Sequence, residues 1–258
     1  MKLNNVSRIS SAKRVVIKVG SSSITGENEK QLDLIVDLAV RLMQDKEVIL
    51  VSSGAIATAS PIIGLSAKPE DLATSQALAS IGQARLMSRY EASLARYGKL
   101  PGQVLLTVDN LSDATSAANA LGALERLIEL DVLPIINEND SVATQEIRFG
   151  DNDQLAAQVA ALVQADLLIL FSDIEALFTK PPTQPGAEPI SVVPFDGSLD
   201  GVEIEGSSTG YGTGGALTKV AAARLATASG TGVILTATKN AVDLDTKPHT
   251  HTWFEPKA

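Results

Sequence analysis

The chain has no cysteine among its 258 residues. This absence excludes disulfide bonds, thiolate nucleophiles and cysteine-ligated zinc, and it is compatible with a reducing cytoplasm. Histidine is nearly absent too, since only His249 and His251 occur, both close to the C-terminus. A solvated role is expected for both, so neither cysteine nor histidine is predicted to carry the chemistry.

Basic residues and long apolar runs are also scarce. Lysine and arginine number 21 against 30 acidic residues, which gives a net charge of −9 and leaves no general basic face for a nucleic acid. No apolar run approaches the ~18 residues of a membrane span, and the N-terminus has no apolar segment ending in a cleavage site. The sequence therefore predicts a soluble, cytoplasmic protein with neither nucleic acid nor membrane as partner.

Aromatic residues are only 3% of the chain, whereas hydrophobic residues are 45%. A core built mainly from Ala, Val, Leu and Ile suits a buried parallel sheet covered by alanine-rich helices. Six apolar strand candidates, each followed by a turn and most by a helical pattern, predict an α/β fold with a mainly parallel sheet in one folded unit. The strand candidates are residues 14–19, 47–51, 102–107, 132–136, 166–171 and 232–237. Residues 71–97 are predicted to be helical, with a helix pair broken near Gly82 as an alternative.

Polar residues and glycines follow four of the predicted strands. Ligands of parallel α/β sheets bind at the carboxyl ends of the strands, so these residues are expected to converge on one edge. They are Lys18 and Gly20, Ser53 and Gly54, Asn137 and Asp140, and Ser172 and Asp173. For Lys18 alone, an edge position facing water is the alternative, and helix capping is the alternative for Ser52 or Ser53.

The stretch from Asn137 to Asp153 contains two polar clusters around a segment that alternates like a hairpin. Such density at the end of a buried strand is costly to desolvate, which suggests a ligand, metal or ammonium partner. A solvated surface loop is the alternative for the whole stretch. For Asp151 to Asp153, the alternative is that the carboxylates complement the dipole of the helix that follows.

A glycine-rich loop, TGYGTGGALTK, covers residues 209–219. Gly210, Gly212 and Gly215 match the spacing of a dinucleotide fingerprint, but no strand precedes them, and Lys219 does not fit a Walker phosphate loop. Glycines before a helix still leave backbone amides free for phosphate oxygens. The loop is therefore interpreted as a different type of nucleotide phosphate clamp, with a flexible loop carrying a surface lysine as the alternative.

Six segments in order resemble the glutamate 5-kinase branch of the amino acid kinase family, over about residues 14–254. They are KVGSSSIT, VSSGAIA, LPIINENDSVA, FGDNDQLAA, LLILFSDIEALFT and GYGTGGALTKVAAA. The resemblance implies a three-layer αβα sandwich forming one domain over residues 1–258, with a glutamate lobe to about 165 and an ATP lobe after it. It also implies ATP-dependent phosphorylation of the γ-carboxylate of L-glutamate, the first step of proline biosynthesis, with Mg²⁺. L-proline as feedback inhibitor and a homo-oligomer, dimer or tetramer, are further family expectations.

Roles for individual residues follow from the same resemblance. Lys18 and Lys219 would neutralise the transferring phosphoryl group, and Asp153 would hold both lysines. The backbone of Gly20 and Gly54 would donate hydrogen bonds to phosphoryl oxygens. Glutamate would be bound by Ser53, Asp140 and Asn152. ATP would be bound by Lys18, Ser172, Asp173, Thr213, Gly214, Gly215, Ala216, Leu217, Thr218 and Lys219, and no side chain is expected to be a dedicated metal ligand.

The chain departs from the family pattern in three places. A C-terminal PUA domain, which many relatives carry, has no counterpart here, so a short form is expected. SDIEALFTKPP replaces the usual TD..GLYT.DP, with Ala176 and Pro181 at unusual positions, and NALGAL replaces NARDTL. Two alternative functions stay open: a related kinase for another carboxylate or carbamate, and a catalytically silent sensor of glutamate or proline. Retention of Lys18, Lys219 and Asp153 favours an enzyme.

Overall fold

The structure is a computed structural model. It describes residues 4–65, 69, 71–142, 152–199, 202 and 215–258. The predicted hairpin within the polar stretch and the first part of the glycine-rich loop, including Thr213 and Gly214, lie outside these residues. In the described part, no helix is both long and apolar enough to cross a membrane.

Eight strands and eight α-helices are described. The strands are β1 (Arg14–Val19), β2 (Glu47–Ser52), β3 (Pro101–Leu106), β4 (Leu133–Glu138), β5 (Leu167–Ser172), β6 (Val192–Val193), β7 (Gly232–Ala237) and β8 (Thr252–Phe254). The helices are α1 (Asn5–Ser11), α2 (Gln31–Leu42), α3 (Ala55–Ala59), α4 (Leu72–Ala95), α5 (Val108–Ser112), α6 (Ala114–Glu129), α7 (Asn152–Leu162) and α8 (Ala216–Ala228).

The strands form one sheet in the order β3-β4-β2-β1-β5-β7-β8-β6. The first six strands in this order are mutually parallel, and they are the six predicted from the sequence. Only β8 runs antiparallel to its neighbour β7, and the short β6 pairs with β8. The predicted α/β class with a mainly parallel sheet is thus confirmed.

The apolar core is divided between the two faces of the sheet. Along β1, Val15, Ile17 and Val19 pack into a cluster with residues of α2 and α4. Val16 points the other way, into a cluster with residues of α6, α7 and α8. Successive side chains of a strand alternate between faces, so one strand supplies both cores of a three-layer αβα arrangement. The sheet therefore has a helical layer on each side.

Helix α4 is continuous through Gly82, so the alternative of a broken helix pair is wrong. A Cβ atom at Gly82 would lie 1.8 Å from the carbonyl oxygen of Ala55 in α3. The glycine is there because the backbone of α3 approaches α4 so closely that no side chain fits between them. This packing fixes α3 next to the carboxyl edge of the sheet.

Candidate active site

Two lysines and one aspartate meet at the carboxyl edge of the sheet. The ammonium group of Lys18 forms an ion pair with Oδ1 of Asp153, and Nζ of Lys219 lies 3.2 Å from Oδ2 of the same carboxylate. All three side chains are almost completely buried, at 5%, 0% and 8% exposure. The alternative of a water-facing Lys18 is therefore wrong, since a buried strand carries it into this cluster.

The fold explains why these residues meet although 201 positions separate Lys18 from Lys219. Lys18 is two residues after Val16, so its side chain points to the face covered by α7 and α8. Asp153 lies in the first turn of α7, and Lys219 in the first turn of α8. Because both helices begin at the same edge of the sheet, their first turns approach the end of β1.

The two ammonium groups keep the Asp153 carboxylate ionised. Burial by itself raises the pKa of Asp153, but the charges and hydrogen bonds of Lys18 and Lys219 outweigh it and lower the pKa to about 2. Thr218 adds a hydrogen bond from its Oγ1 to Oδ2 of Asp153 at 3.2 Å. Counted over these three described side chains, one carboxylate between two ammonium groups carries a net positive charge, which suits an anionic ligand such as a phosphoryl group.

Gly20 and Gly54 lie in neighbouring turns beside this cluster. Gly20 directly follows β1, and a Cβ atom there would lie 3.7 Å from Nζ of Lys18. Gly54 has φ of 109°, a left-handed conformation that L side chains rarely adopt, and its Cβ position lies 3.7 Å from Cα of Ser21. The turn after β1 and the turn after β2 thus contact each other next to Lys18.

The two serines after β2 have different environments, and neither caps α3. Gly54 occupies the N-cap position, where no described side chain bonds to the helix, so the capping alternative is wrong. Ser52 is buried and its Oγ lies 2.8 Å from the hydroxyl of Tyr90 in α4. Ser53 is half-buried, and its backbone N–H donates to the carbonyl of Val19 at 3.1 Å. Of these two serines, Ser53 therefore has the more open side chain.

Asp140 lines a cavity of about 270 Å³ beside the same turns. The cavity lies between α3, α4, the end of β3 and the segment after β4. Its lining residues are Ala55, Ala79, Ser80, Gln83, Ala84, Gln103, Leu105, Glu138, Asn139, Asp140 and Ser141. Asn152 opens α7 and is 7% exposed, and among the described residues its Oδ1 has no hydrogen-bond partner. Asp140 and Asn152, two of the three predicted glutamate contacts, thus lie at the carboxyl edge.

The N-terminus of α8 holds the described part of the glycine-rich loop. Gly215 is the N-cap residue and no described side chain caps the helix, so its first backbone N–H groups are available to a ligand. Thr218 points inward to Asp153, whereas the side chain of Leu217 is 55% exposed. Leu217 and Ala216 lie in this first turn, where their backbone N–H groups can serve a nucleotide phosphate.

Ser172 ends β5 on the other side of Lys18, and Asp173 follows it. Oγ of Ser172 donates to Oδ1 of Asp173 at 2.9 Å, and Asp173 is exposed. The Ser172 carbonyl accepts a hydrogen bond at 3.0 Å from the hydroxyl of Thr238, which also lies 2.8 Å from Oγ of Ser23. A buried hydroxyl network thus connects the turn after β1 with the turns after β5 and β7.

Both histidines lie outside the lysine cluster. Nε2 of His249 lies 2.6 Å from Oδ1 of Asp243, and His251 bonds to the backbone of His249, so both are partly buried and not simply solvated. Within the part of the chain that is described, no group of three or more His, Asp or Glu side chains could hold a metal ion.

Sequence reasoning missed the contacts of Tyr90, Ser23 and Thr238. Tyr90 has the spacing of an ordinary core residue in α4, and its hydroxyl contact with Ser52 has no local signal. Thr238 and Ser23 have no signal, because 215 residues separate the two hydroxyl groups that meet.

Comparisons with known proteins agree on one family. The family model described as amino acid kinase family matches residues 13–236. A glutamate 5-kinase of Clavibacter sepedonicus is 55% identical over 251 residues, which cover 97% of each chain. The glutamate 5-kinase of Leifsonia xyli subsp. xyli is 54% identical over 99% of this chain and 96% of the relative. The glutamate 5-kinase of Streptomyces coelicolor is 48% identical over 95% of this chain and 67% of the relative.

Two solved structures share the fold at low sequence identity. A carbamate kinase from Giardia lamblia bound to AMP-PNP aligns with a TM-score of 0.65 at 15% identity, covering 95% of this chain and 100% of the other. A UMP kinase from Ureaplasma parvum aligns with a TM-score of 0.61 at 15% identity, covering 94% and 98%. These two likenesses support the three-layer arrangement and nothing more specific.

Proposed function

The chain belongs to the amino acid kinase family, and we propose that it acts as a glutamate 5-kinase. It transfers the γ-phosphoryl group of ATP to the γ-carboxylate of L-glutamate and releases ADP and γ-glutamyl phosphate. The observation that carries this function is the buried cluster of Lys18, Asp153 and Lys219 at the edge of the sheet, in a chain 55% identical to a glutamate 5-kinase over almost its whole length.

The reaction needs positioning and charge neutralisation more than a proton acceptor. An oxygen of the γ-carboxylate attacks the γ-phosphorus of ATP, and the bond to the bridging oxygen breaks, so that ADP leaves with the electron pair. The carboxylate is already a nucleophile, and a general base is unnecessary. This requirement is consistent with the absence of histidine from the described site.

The lysines supply the electrostatic part of catalysis. Lys18 and Lys219 neutralise negative charge on the transferring group, while Asp153 fixes both ammonium groups in place. Backbone N–H groups at Gly20 and Gly54 donate to phosphoryl oxygens from the two turns that contact each other. The substrate's amino acid end is bound by Ser53, Asp140 and Asn152, with Asp140 as the counter-charge of the ammonium group.

The nucleotide occupies the half of the edge formed by β5, β7 and α8. Ser172, Asp173 and the loop from Thr213 to Lys219 hold ATP, and the uncapped start of α8 suits its phosphates. Magnesium would be held mainly by the ATP phosphates, where it would neutralise part of their negative charge. Residues 1–165 then form the glutamate lobe and residues 166–258 the ATP lobe.

We place the enzyme in the cytoplasm as a homo-oligomer, at the first step of proline biosynthesis, with L-proline as feedback inhibitor. Gel filtration and inhibition of turnover by added L-proline test the last two points directly.

A coupled assay of ADP release over a panel of acidic amino acids tests the function. We expect turnover that requires L-glutamate, ATP and Mg²⁺, and much lower turnover with L-aspartate or carbamate. Thermal unfolding with and without L-glutamate, measured in parallel, separates binding from chemistry. Ligand-induced stabilisation without any glutamate-dependent turnover would indicate a silent sensor and contradict the proposal.

A further inference from the structure

The peptide group between Ser53 and Gly54 is held at its carbonyl end by a buried hydroxyl group. The carbonyl oxygen of Ser53 accepts a hydrogen bond at 3.0 Å from Oγ of Ser52, and the N–H of the same peptide group belongs to Gly54. No cis peptide bond occurs in the described chain. The C=O and N–H of a trans peptide point in opposite directions, so the Gly54 N–H points away from the Ser52 hydroxyl.

The two faces of the sheet decide toward what this N–H points. Ser52 lies two residues after Leu50 in β2, so its side chain is on the face covered by α2 and α4. Lys18 lies two residues after Val16 in β1, on the opposite face. Since the Ser53 carbonyl is held on the side of Ser52, the Gly54 N–H is directed toward the side of Lys18.

Tyr90 of α4 holds the Ser52 hydroxyl in turn. The two hydroxyl oxygens lie 2.8 Å apart, and both side chains are 0% exposed. Ser52 has one hydroxyl hydrogen, which it donates to the Ser53 carbonyl, so the hydrogen between Ser52 and Tyr90 comes from Tyr90. Burial raises the pKa of Tyr90 above its ordinary value, and the phenol therefore keeps this hydrogen.

A glycine after this peptide group makes such support necessary. Gly54 has φ of 109°, and glycine adopts positive and negative φ about equally readily, so the peptide group can rotate and turn the N–H away. A hydrogen-bond donor stabilises a transition state best when it is oriented before the reaction begins. The hydrogen bonds from Tyr90 through Ser52 oppose that rotation.

We propose that Ser52 and Tyr90 are positioning residues that direct the Gly54 N–H toward the transferring phosphoryl group. The inference rests on the proposed function, in which this N–H donates to a phosphoryl oxygen. Both side chains act through the peptide group that Ser53 and Gly54 share, and neither has exposed area with which to touch a substrate.

Two variants interrupt the chain of hydrogen bonds at different points. Ser52→Ala removes the donor to the Ser53 carbonyl and is expected to lower kcat about 30-fold, less than the loss of a whole transition-state donor. Tyr90→Phe keeps the ring and should lower kcat about fivefold, since Ser52 retains its own hydrogen bond. The dissociation constant of L-glutamate, titrated without ATP, should change less than about threefold in both, because ground-state binding does not need this N–H.

The double variant tests whether Tyr90 acts through Ser52. With Ser52 replaced by alanine, adding Tyr90→Phe should lower kcat by less than about twofold further, because the connection is already broken. A double variant whose loss equals the product of the two single losses would contradict the shared path.

Ser93→Ala and Tyr97→Phe are the matched controls. Oγ of Ser93, a buried serine of α4, donates to Asp33 at 2.6 Å, and the hydroxyl of Tyr97 donates to Asp37 at 2.8 Å. Both hydroxyl groups therefore bond to carboxylates of α2 and not to the turn after β2. Each control should leave kcat within about twofold, even where thermal unfolding shows a lower midpoint. All assays are run well below that midpoint.

Unchanged kcat in a folded Ser52→Ala protein would overturn the inference. So would a loss of L-glutamate affinity as large as the loss of kcat, which would indicate a role in substrate binding. If Ser52→Ala does not fold, Tyr90→Phe decides alone by the same criteria. These results leave the proposed function intact if the unmodified enzyme turns over L-glutamate. If it does not, the proposed function itself has failed, and the inference fails with it.

Discussion

The hydroxyl groups of Thr238 and Ser23 lie 2.8 Å apart although 215 residues separate them. Thr238 follows β7, whereas Ser23 ends the turn that begins at Gly20. Because Thr238 also donates to the carbonyl of Ser172, one buried hydroxyl connects the turn beside Lys18 with the turns after β5 and β7, where the nucleotide is proposed to bind. The distance between phosphoryl donor and acceptor depends on such contacts.

Thr238→Val is expected to lower kcat about tenfold and to lower the free energy of unfolding by about 2 kcal/mol, because valine has the same shape but leaves two buried partners unpaired. Steady-state kinetics and urea denaturation measure both effects. Thr238→Ser restores the hydroxyl and should recover most of the loss. Thr246→Val, at an exposed threonine, serves as control. Full activity of Thr238→Val would show that the network has no positioning role.

Gly82→Ala is expected to destabilise the protein by about 2 kcal/mol despite the higher helix propensity of alanine, because the new methyl group collides with the backbone of α3. Activity should fall as well, since Gly54 begins α3. The control is Gly122→Ala in α6, where no atom outside the local backbone of the helix and the adjacent residues lies within 4 Å of the new Cβ position. That change should stabilise the protein by about 1 kcal/mol, measured by the same urea denaturation. Similar effects at both glycines would contradict the packing argument.

Lys219→Ala is expected to lower kcat about 100-fold or more while changing the dissociation constant of L-glutamate less than about threefold. In the proposed mechanism Lys219 neutralises charge on the transferring group, whereas Asp153 still pairs with Lys18 in the variant. Lys239→Ala, the control, removes a lysine whose side chain is 66% exposed. It should change neither kcat nor the dissociation constant of L-glutamate appreciably. Titration with L-glutamate in the absence of ATP measures binding. Parallel losses in binding and turnover would argue against a role confined to phosphoryl transfer.

Asp153→Asn is expected to destabilise the protein by about 3 kcal/mol at pH 7, because two buried ammonium groups lose their counter-charge. The pKa of Asp153 is lowered in the folded protein from 3.8 to about 2. The stability that the ionised carboxylate contributes is therefore fully present above the pKa of Asp153 in the unfolded chain. It is lost as the pH falls through the pKa of Asp153 in the folded protein. The difference in unfolding free energy between the wild type and Asp153→Asn should stay constant from pH 8 to 5 and shrink by about 2 kcal/mol toward pH 2.

Urea denaturation at several pH values measures this difference. Glu129→Gln provides the control, because Glu129 pairs with Arg126 on the surface, where both side chains are more than 60% exposed. A surface pair of this kind should contribute less than about 1 kcal/mol at any of these pH values. A difference for Asp153→Asn that does not change below pH 5 would show that its carboxylate is not ionised through contact with the lysines.

The amino acid sequence by itself determined the six parallel strands, because apolar β-branched runs that end in glycine and serine turns are local signals. It also placed Lys18 and Asp140 at the carboxyl edge, since every strand of a parallel sheet ends at the same side. The sequence did not decide whether α4 continues through Gly82. A glycine in a helix signals either a break or a close contact, and only the position of Ala55 distinguishes the two.

Tertiary structure alone decided which side chains meet at that edge. The period of a strand places Lys18 on the same face as Val16, but no local pattern states that α7 and α8 cover this face and bring Asp153 and Lys219 to it. The same holds for the contact of Thr238 with Ser23 and for that of Tyr90 with Ser52. Strand order is set by the global packing of the apolar faces, and each of these contacts depends on that order.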